Sequence, residues 1–253
     1  MLNEVDWKIC LEIGLNHLGQ IRKIEHAINL IDWSEGTAAF SLQLREEAFY
    51  AAEREYLKLS LADYKKIKDL CISKSVRYGL ALGPIQDLGI LEDPRTKPDF
   101  IKVLSLATQD LGFMQSLCSF TDIPKYVSTG SSELHFLRDQ ILPMMRQDDM
   151  FIHTSLTHAS QGQDLQRIAA LAKLGRKACF GLHAAQREII FAAIGAGAEK
   201  AFLYVGDKSR VLPDFEHAID LNETNRFLDL ASGCYSAMTS SPRSEKDSIK
   251  FIG

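Results

Sequence analysis

Cys10-Leu-Glu-Ile-Gly-Leu-Asn-His-Leu-Gly19 is the stretch on which the fold turns. An apolar run from Trp7 to Ile13 reads as a strand and stops at Gly14. Asn16, His17 and Gly19 follow, and a helical pattern starts at Gln20. Glu12 therefore stands near the C-terminal end of a first strand, with an amide and an imidazole in the turn beyond it. In a β/α barrel that edge is where active sites are built.

The same strand–turn–helix unit recurs along the chain. Strands are expected at Trp7–Ile13, Ala38–Leu44, Arg77–Leu82, Phe100–Leu104, Lys125–Ser128, Met150–Thr154, Ala178–Leu182 and Lys200–Val205. Helices are expected at Gln20–Ser34, Ser60–Ser73, Gln109–Ser119, Ser131–Gln147, Asp164–Leu174 and Ala185–Gly195, with a weaker one over Pro84–Glu92 and a last one from Asn222 to Ala231. Ser60 with Asp63 can cap one helix start, and Ser131 with Glu133 another. Gly175 is placed as a helix stop. Short connections between such units imply parallel strands with helical crossovers. Eight units close into a (β/α)8 TIM barrel, a single α/β domain over 1–231. An open doubly wound sheet is the alternative, although no Gly-x-Gly-x-x-Gly or Walker-type loop follows a strand. The stretch 232–253 is rich in Ser, Thr, Lys and Pro and is expected to be a solvated, partly disordered tail.

The chain has 253 residues, close to the ~250 of one barrel. A net charge of -4 speaks against a nucleic-acid or anionic-membrane surface. The five cysteines are odd in number and form no Cys-x-x-Cys pair, so buried free thiols in a reducing cytoplasm are expected. The start of the chain lacks the basic and apolar segments of a signal peptide, and no apolar run is long enough to span a bilayer.

Polar residues gather at the strand ends. Glu12 either touches a substrate or bonds to backbone or a lysine, because a buried carboxylate needs a partner. Ser41 and Gln43 share one face of the second strand. Lys102, inside Phe-Ile-Lys-Val-Leu, points either into the barrel toward an anion, helped by Ser105, or outward as a snorkelling lysine. Ser128-Thr-Gly130 offers hydroxyls and backbone N–H groups at a helix start. His153 and His158 are either metal ligands or, for His153, a hydrogen-bonded barrel residue. His183, Tyr204 and Asp207 can face the same mouth.

In this order the residues resemble the sialic acid synthase (N-acetylneuraminate synthase) family. Glu12-Ile-Gly-Leu-Asn-His-Leu-Gly19 is similar to its Glu-Ile-Gly-x-Asn-His-x-Gly. Ser41-Leu-Gln43 stands for Lys-x-Gln, Lys102-Val-Leu-Ser105 for Lys-Ile-x-Ser, and Ser128-Thr-Gly130 for Ser-Thr-Gly. Gly181-Leu-His183 resembles a shortened Gly-Tyr-Ser-Asp-His, and Leu212-Pro-Asp214 falls near a Pro-Asp-His loop. The resemblance spans Trp7 to Leu230.

It implies a barrel enzyme of nonulosonic acid or surface polysaccharide biosynthesis, condensing phosphoenolpyruvate with an N-acyl hexosamine and releasing phosphate. Lys102, Ser105, Ser128, Thr129 and Gly130 would hold phosphoenolpyruvate, Asn16 and Gln43 would line the site, and Glu12 and His17 would be catalytic. A divalent metal, manganese or magnesium, would take His183 as a ligand. A homodimer is implied too. The departures point the other way. The family's first lysine is Ser41, an acid is Ala107, an Asn and a Tyr are Leu156 and His158, and the second metal histidine is Tyr204. The acid beside His183 is missing, and so is the C-terminal antifreeze-like domain. The alternative is a catalytically impaired relative that binds a sugar, a phosphate or a partner, with metal binding weak or lost.

Overall fold

The computed structural model describes residues 7–33, 38–155, 157–208, 213 and 216–239. Its strands are β1 (Ile9–Ile13), β2 (Ala38–Leu44), β3 (Arg77–Leu82), β4 (Phe100–Val103), β5 (Lys125–Ser128), β6 (Met150–Thr154), β7 (Ala178–Gly181) and β8 (Ala201–Gly206). Each pairs in parallel with the next, and β8 pairs with β1. That last pairing closes the barrel and excludes the open sheet. A short β9 (Ile219–Asp220) adds in parallel to the end of β8.

The strands read as near-continuous apolar runs because both faces are covered, by helices outside and packed side chains inside. The outer shell packs residues such as Leu11, Leu42, Leu80, Val103, Val127 and Leu203 against the helices. A separate inner cluster fills the lower barrel: Trp7, Cys10, Ala39, Phe100, Tyr126, Ile152, Cys179 and Phe202. Trp7 lies 4.9 Å from the Phe100 ring and 5.2 Å from the Tyr126 ring, centroid to centroid. Lys200 caps this plug, its Nζ 4.4 Å from the Trp7 ring centroid and bonded to the Trp7 carbonyl.

Strand boundaries fall within two residues of expectation. The helices run shorter: Ile21–Leu30, Leu61–Ser73, Leu111–Cys118, Gln166–Ala172 and Ile189–Gly195. Ser60 and Asp63 form the expected capping box. Ser131–Gln147 does not form one helix. A turn at Leu134–Phe136 passes into a π segment, Leu137–Ile141, and a 3-10 turn, Leu142–Met144. Pro143 has no N–H to give to a carbonyl four residues back, so the regular ladder cannot continue through it. Glu133, with no side-chain cap bond, precedes the turn in place of a serine. Over Pro84–Glu92 only Gly89–Glu92 is helical. The last helix, Thr224–Thr239, continues beyond Ala231 into the segment read as tail, burying Ala231 and Tyr235. Residues 240–253 lie outside the described residues. No described helix is long and apolar enough to cross a membrane.

Gly79 on β3 makes room for the plug. A Cβ there would sit 2.2 Å from Cζ of Phe100. Gly79→Val is therefore expected to destabilise the fold by about 1–3 kcal/mol through overpacking, read by urea unfolding. A smaller Phe100→Leu partner change should recover part of that loss.

Candidate functional site

The C-terminal ends of the strands form the mouth. Glu12 on β1 is aligned with Ser41 on β2 and Tyr204 on β8 by the ladder register. Lys102 on β4 points inward and is 1% exposed, so the outward, snorkelling alternative does not hold. Its Nζ donates to both Glu12 carboxylate oxygens, at 3.1 and 2.9 Å. Ser41 Oγ donates to Glu12 Oε2 at 3.2 Å, and Cys10 Sγ donates to Ser41 Oγ at 3.2 Å. Burial pushes the Cys10 thiol well up, which keeps it a donor. The Tyr204 ring centroid lies 5.0 Å from Lys102 Nζ. Thus the bonded-carboxylate reading of Glu12 describes its state, and the charge of Lys102 is already answered within the protein.

Above this pair lies a cavity of about 320 Å³. Lys102 forms its floor, and Gln43, Ser105, Ser128, Thr154, His183 and Tyr204 line it, with Arg45 also in the lining. Arg45 pairs with Glu46 at 3.0 Å. Ser128 Oγ and Thr154 Oγ1 are buried and have no hydrogen-bond partner. Thr129 and Gly130 do not join the lining. Thr129 is fully buried, and Gly130 takes a left-handed turn at φ 47°. The expected helix start at this point is absent, and with it the cradle of N–H groups.

Aromatic rings crowd one side of the mouth. His183 lies 5.1 Å from His217 and 5.3 Å from Tyr204, centroid to centroid, and His217 stacks on His158 at 5.1 Å. Burial, then nearby Lys102, pushes the His183 pKa down to about 3. Burial, then His158, lowers that of His217 to about 4. Both rings are neutral at pH 7. His158 Nδ1 bonds the His183 carbonyl at 2.7 Å. His153 Nε2 bonds the Gln163 carbonyl, and its ring, 5.9 Å from that of Phe180, lies on the outer, helix-facing side of β6.

This donor set does not fit manganese or magnesium. Among the described residues no three of His, Cys, Asp and Glu stand together as a metal-holding group. The rings around His183 are imidazoles and a phenol, and the carboxylate beside this cluster, Glu216, lies 3.8 Å from His158, whereas both cations favour oxygen-rich, carboxylate-bearing sites.

Asn16 and His17 are not brought to the mouth. Asn16 Nδ2 donates to the Val205 carbonyl at 2.8 Å, and His17 Nδ1 accepts from the Gly19 N–H at 2.9 Å. Both line a second cavity between the turn after β1 and the end of β8, together with Asp207. The polar side chains of the turn run past the mouth to the neighbouring strand. Leu156, Leu212 and Asp214 lie outside the described residues. Sequence reading missed Thr154, Arg45 and His217 as mouth residues. Thr154 ends β6 as Ser128 ends β5, so strand-end position alone marks it. His217 closes Pro-Asp-Phe-Glu-His, just past the loop segment already singled out.

No protein-family model matches the sequence, and no curated protein does. Solved structures do match. The N-acetylneuraminic acid (sialic acid) synthetase of Leptospira borgpetersenii superposes with a TM-score of 0.82 at 14% identity, covering 96% of this chain and 89% of that one. The chain has the fold of that synthetase barrel. A spore coat polysaccharide biosynthesis protein of Bacillus subtilis gives 0.77 at 20% identity, over 95% and 72% of the two chains. A truncated 3-deoxy-D-arabino-heptulosonate 7-phosphate synthase of Thermotoga maritima gives 0.69 at 12%, over 92% and 87%. At these identities the likeness is one of fold.

Removing one partner of the buried pair strands the other charge. Lys102→Met should cost about 3–5 kcal/mol, and adding Glu12→Gln should return much of it; a double-mutant cycle in urea measures the coupling. A pH effect is also expected. Burial, then Lys23, lowers the His17 pKa to about 4. The unfolded chain takes up a proton below about pH 6.5 while the folded one does not, so stability falls as pH drops from about 6.5 to about 4. The loss is about 3 kcal/mol. His17→Gln should remove the His17 share of that slope in pH-dependent unfolding, with the depressed His183 and His217 keeping theirs.

Proposed function

We propose that this chain serves carbohydrate biosynthesis and that its mouth binds a sugar-type ligand. The carrying observation is the pairing of two orphaned hydroxyls with a self-neutralised floor. Ser128 Oγ and Thr154 Oγ1 face the cavity with no protein partner, and Lys102 beneath them is held by Glu12. A buried hydroxyl without a partner costs free energy that a ligand hydroxyl or amide relieves. Gln43 adds an amide. The cavity is within the range of small-ligand sites, roughly 300–1,000 Å³. The barrels it resembles, described as a sialic acid synthetase and a spore coat polysaccharide biosynthesis protein, support the carbohydrate setting. Free thiols at Cys10, Cys71, Cys118, Cys179 and Cys234 support a cytoplasmic one.

The second reading is the condensation of phosphoenolpyruvate with an N-acyl hexosamine. Its support is the meeting of Lys102, Ser105 and Ser128 at one cavity. Against it stands the charge balance. With Ser41 in place of a lysine, a phosphate would have to compete with Glu12 for Lys102, and with Glu46 for Arg45.

Saturation-transfer NMR with N-acetylmannosamine and phosphoenolpyruvate separates the two. The expected result is sugar binding weakened about tenfold by Ser128→Val with Thr154→Val, weak or no phosphoenolpyruvate binding, and a gain in the latter with Ser41→Lys. Turnover of the mixture to inorganic phosphate and a new carbon–carbon bond would establish the second reading instead. Failure to bind either compound would overturn both.

A further inference from the structure

The turn between β6 and the helix Gln166–Ala172 is tied off at its base and braced from within. Ser155 Oγ donates to the Gly162 carbonyl at 3.0 Å and accepts the Thr157 N–H at 3.2 Å. His153 Nε2 donates to the Gln163 carbonyl. Burial lowers the His153 pKa, with Arg167 and Asp164 nearby acting in opposite directions, so the ring is neutral at pH 7 and its proton sits on Nε2. Gln163 is 2% exposed and does not line the mouth. Its Nε2 donates to the Thr157 carbonyl at 2.8 Å and to the Ala159 carbonyl at 3.0 Å. One buried amide thus holds the backbone on both sides of His158. A buried carbonyl that loses its donor costs free energy, so these bonds fix the turn firmly.

His158 is in turn fastened to the segment after β7 at two points. Its Nδ1 bonds the His183 carbonyl at 2.7 Å, and its own carbonyl accepts the Ala185 N–H at 3.1 Å. A carbonyl only accepts, so His158 carries a proton on Nδ1. His183, at the first of these points, lines the mouth. A continuous path of hydrogen bonds therefore runs from Gln163, through the backbone around His158, to a wall of the cavity.

We propose that Gln163 is a positioning residue for ligand binding: acting through His158, it fixes where His183 stands in the mouth. For its ligand this role rests on the sugar-binding reading. The coupling of Gln163 to His158 has a signature of its own, which needs no ligand.

Heteronuclear NMR of the histidine rings and saturation-transfer titration with N-acetylmannosamine, both on the full chain, test this role. The native protein should show the His158 Nδ1–H as a slowly exchanging signal, assigned by its loss in His158→Gln. Gln163→Met keeps the length of the side chain and removes both donors. It should shift or abolish that signal and weaken sugar binding about tenfold. His158→Gln should weaken binding about as much. The double variant should lose no more than either single one, because both residues act along one path. Gln163→Asn, which keeps the amide on a shorter stem, serves with the same expectations if Gln163→Met does not fold. Absence of the Nδ1–H signal from the native protein, a signal unchanged by the Gln163 variant, undiminished binding by that variant, or losses that add in the double variant would each overturn the proposal. If the native chain binds no sugar, the sugar reading falls, and the Nδ1–H signal alone decides the role of Gln163.

Discussion

Two opposite charges, Glu12 and Lys102, meet inside the barrel at 2.9 Å with almost no contact with water. Taking both out of solvent costs several kcal/mol per ion. The cost is offset only because the geometry is tight and the spare lone pairs are used. Lys102 reaches both carboxylate oxygens, and Ser41 supplies a further donor. The pair bridges β1 and β4 across the barrel. It therefore decides which side chains reach the floor of the mouth and what charge the floor presents.

That compensation also sets the chemistry above it. A free lysine at the bottom of a cavity attracts phosphate or carboxylate. A lysine bonded twice to a carboxylate presents little net field, and the hydroxyls above it become the dominant recognition groups. The neutral imidazoles of His183 and His217 reinforce this, since burial keeps their charged forms out of reach at pH 7. On the proposed sugar-binding reading, recognition then depends on the placement of hydroxyls and an amide.

The barrel was legible in the sequence because its strands are buried on both faces, and apolar runs such as Ala38–Leu44 have no amphipathic ambiguity. Placement of Ser128 and His183 at the mouth followed from position at the strand ends, whereas the direction of Lys102, inward or outward, stayed open until the structure placed it. What was not legible is contact across the barrel. Glu12 and Lys102 are 90 residues apart, and no local pattern shows that a candidate catalytic acid and a candidate anion-binding base neutralise each other. The destination of Asn16 and His17 was hidden for a similar reason. The turn after β1 leans on the carbonyl of Val205, on a strand far away in sequence. The serine cap of the helix after β5 failed because Gly130 turns the chain before any helix begins.

The seam between the first and last strands carries a consequence for how the chain comes to be folded. Asn16 ties to Val205, Lys8 to Glu199, and Lys200 to the Trp7 carbonyl, contacts spanning 189, 191 and 193 residues. During synthesis β1 emerges first and waits for β8, so both edges of the growing sheet stay open. Loop-closure entropy for such distant contacts is lost before the contacts return anything, which makes the closing step slow. Until then the Val-, Leu- and Ile-rich edges are templates for pairing with other chains. The nascent polypeptide is thus most vulnerable to aggregation just before Ala201–Gly206 leaves the ribosome, and a chaperone that shields β1 has its greatest effect in that interval.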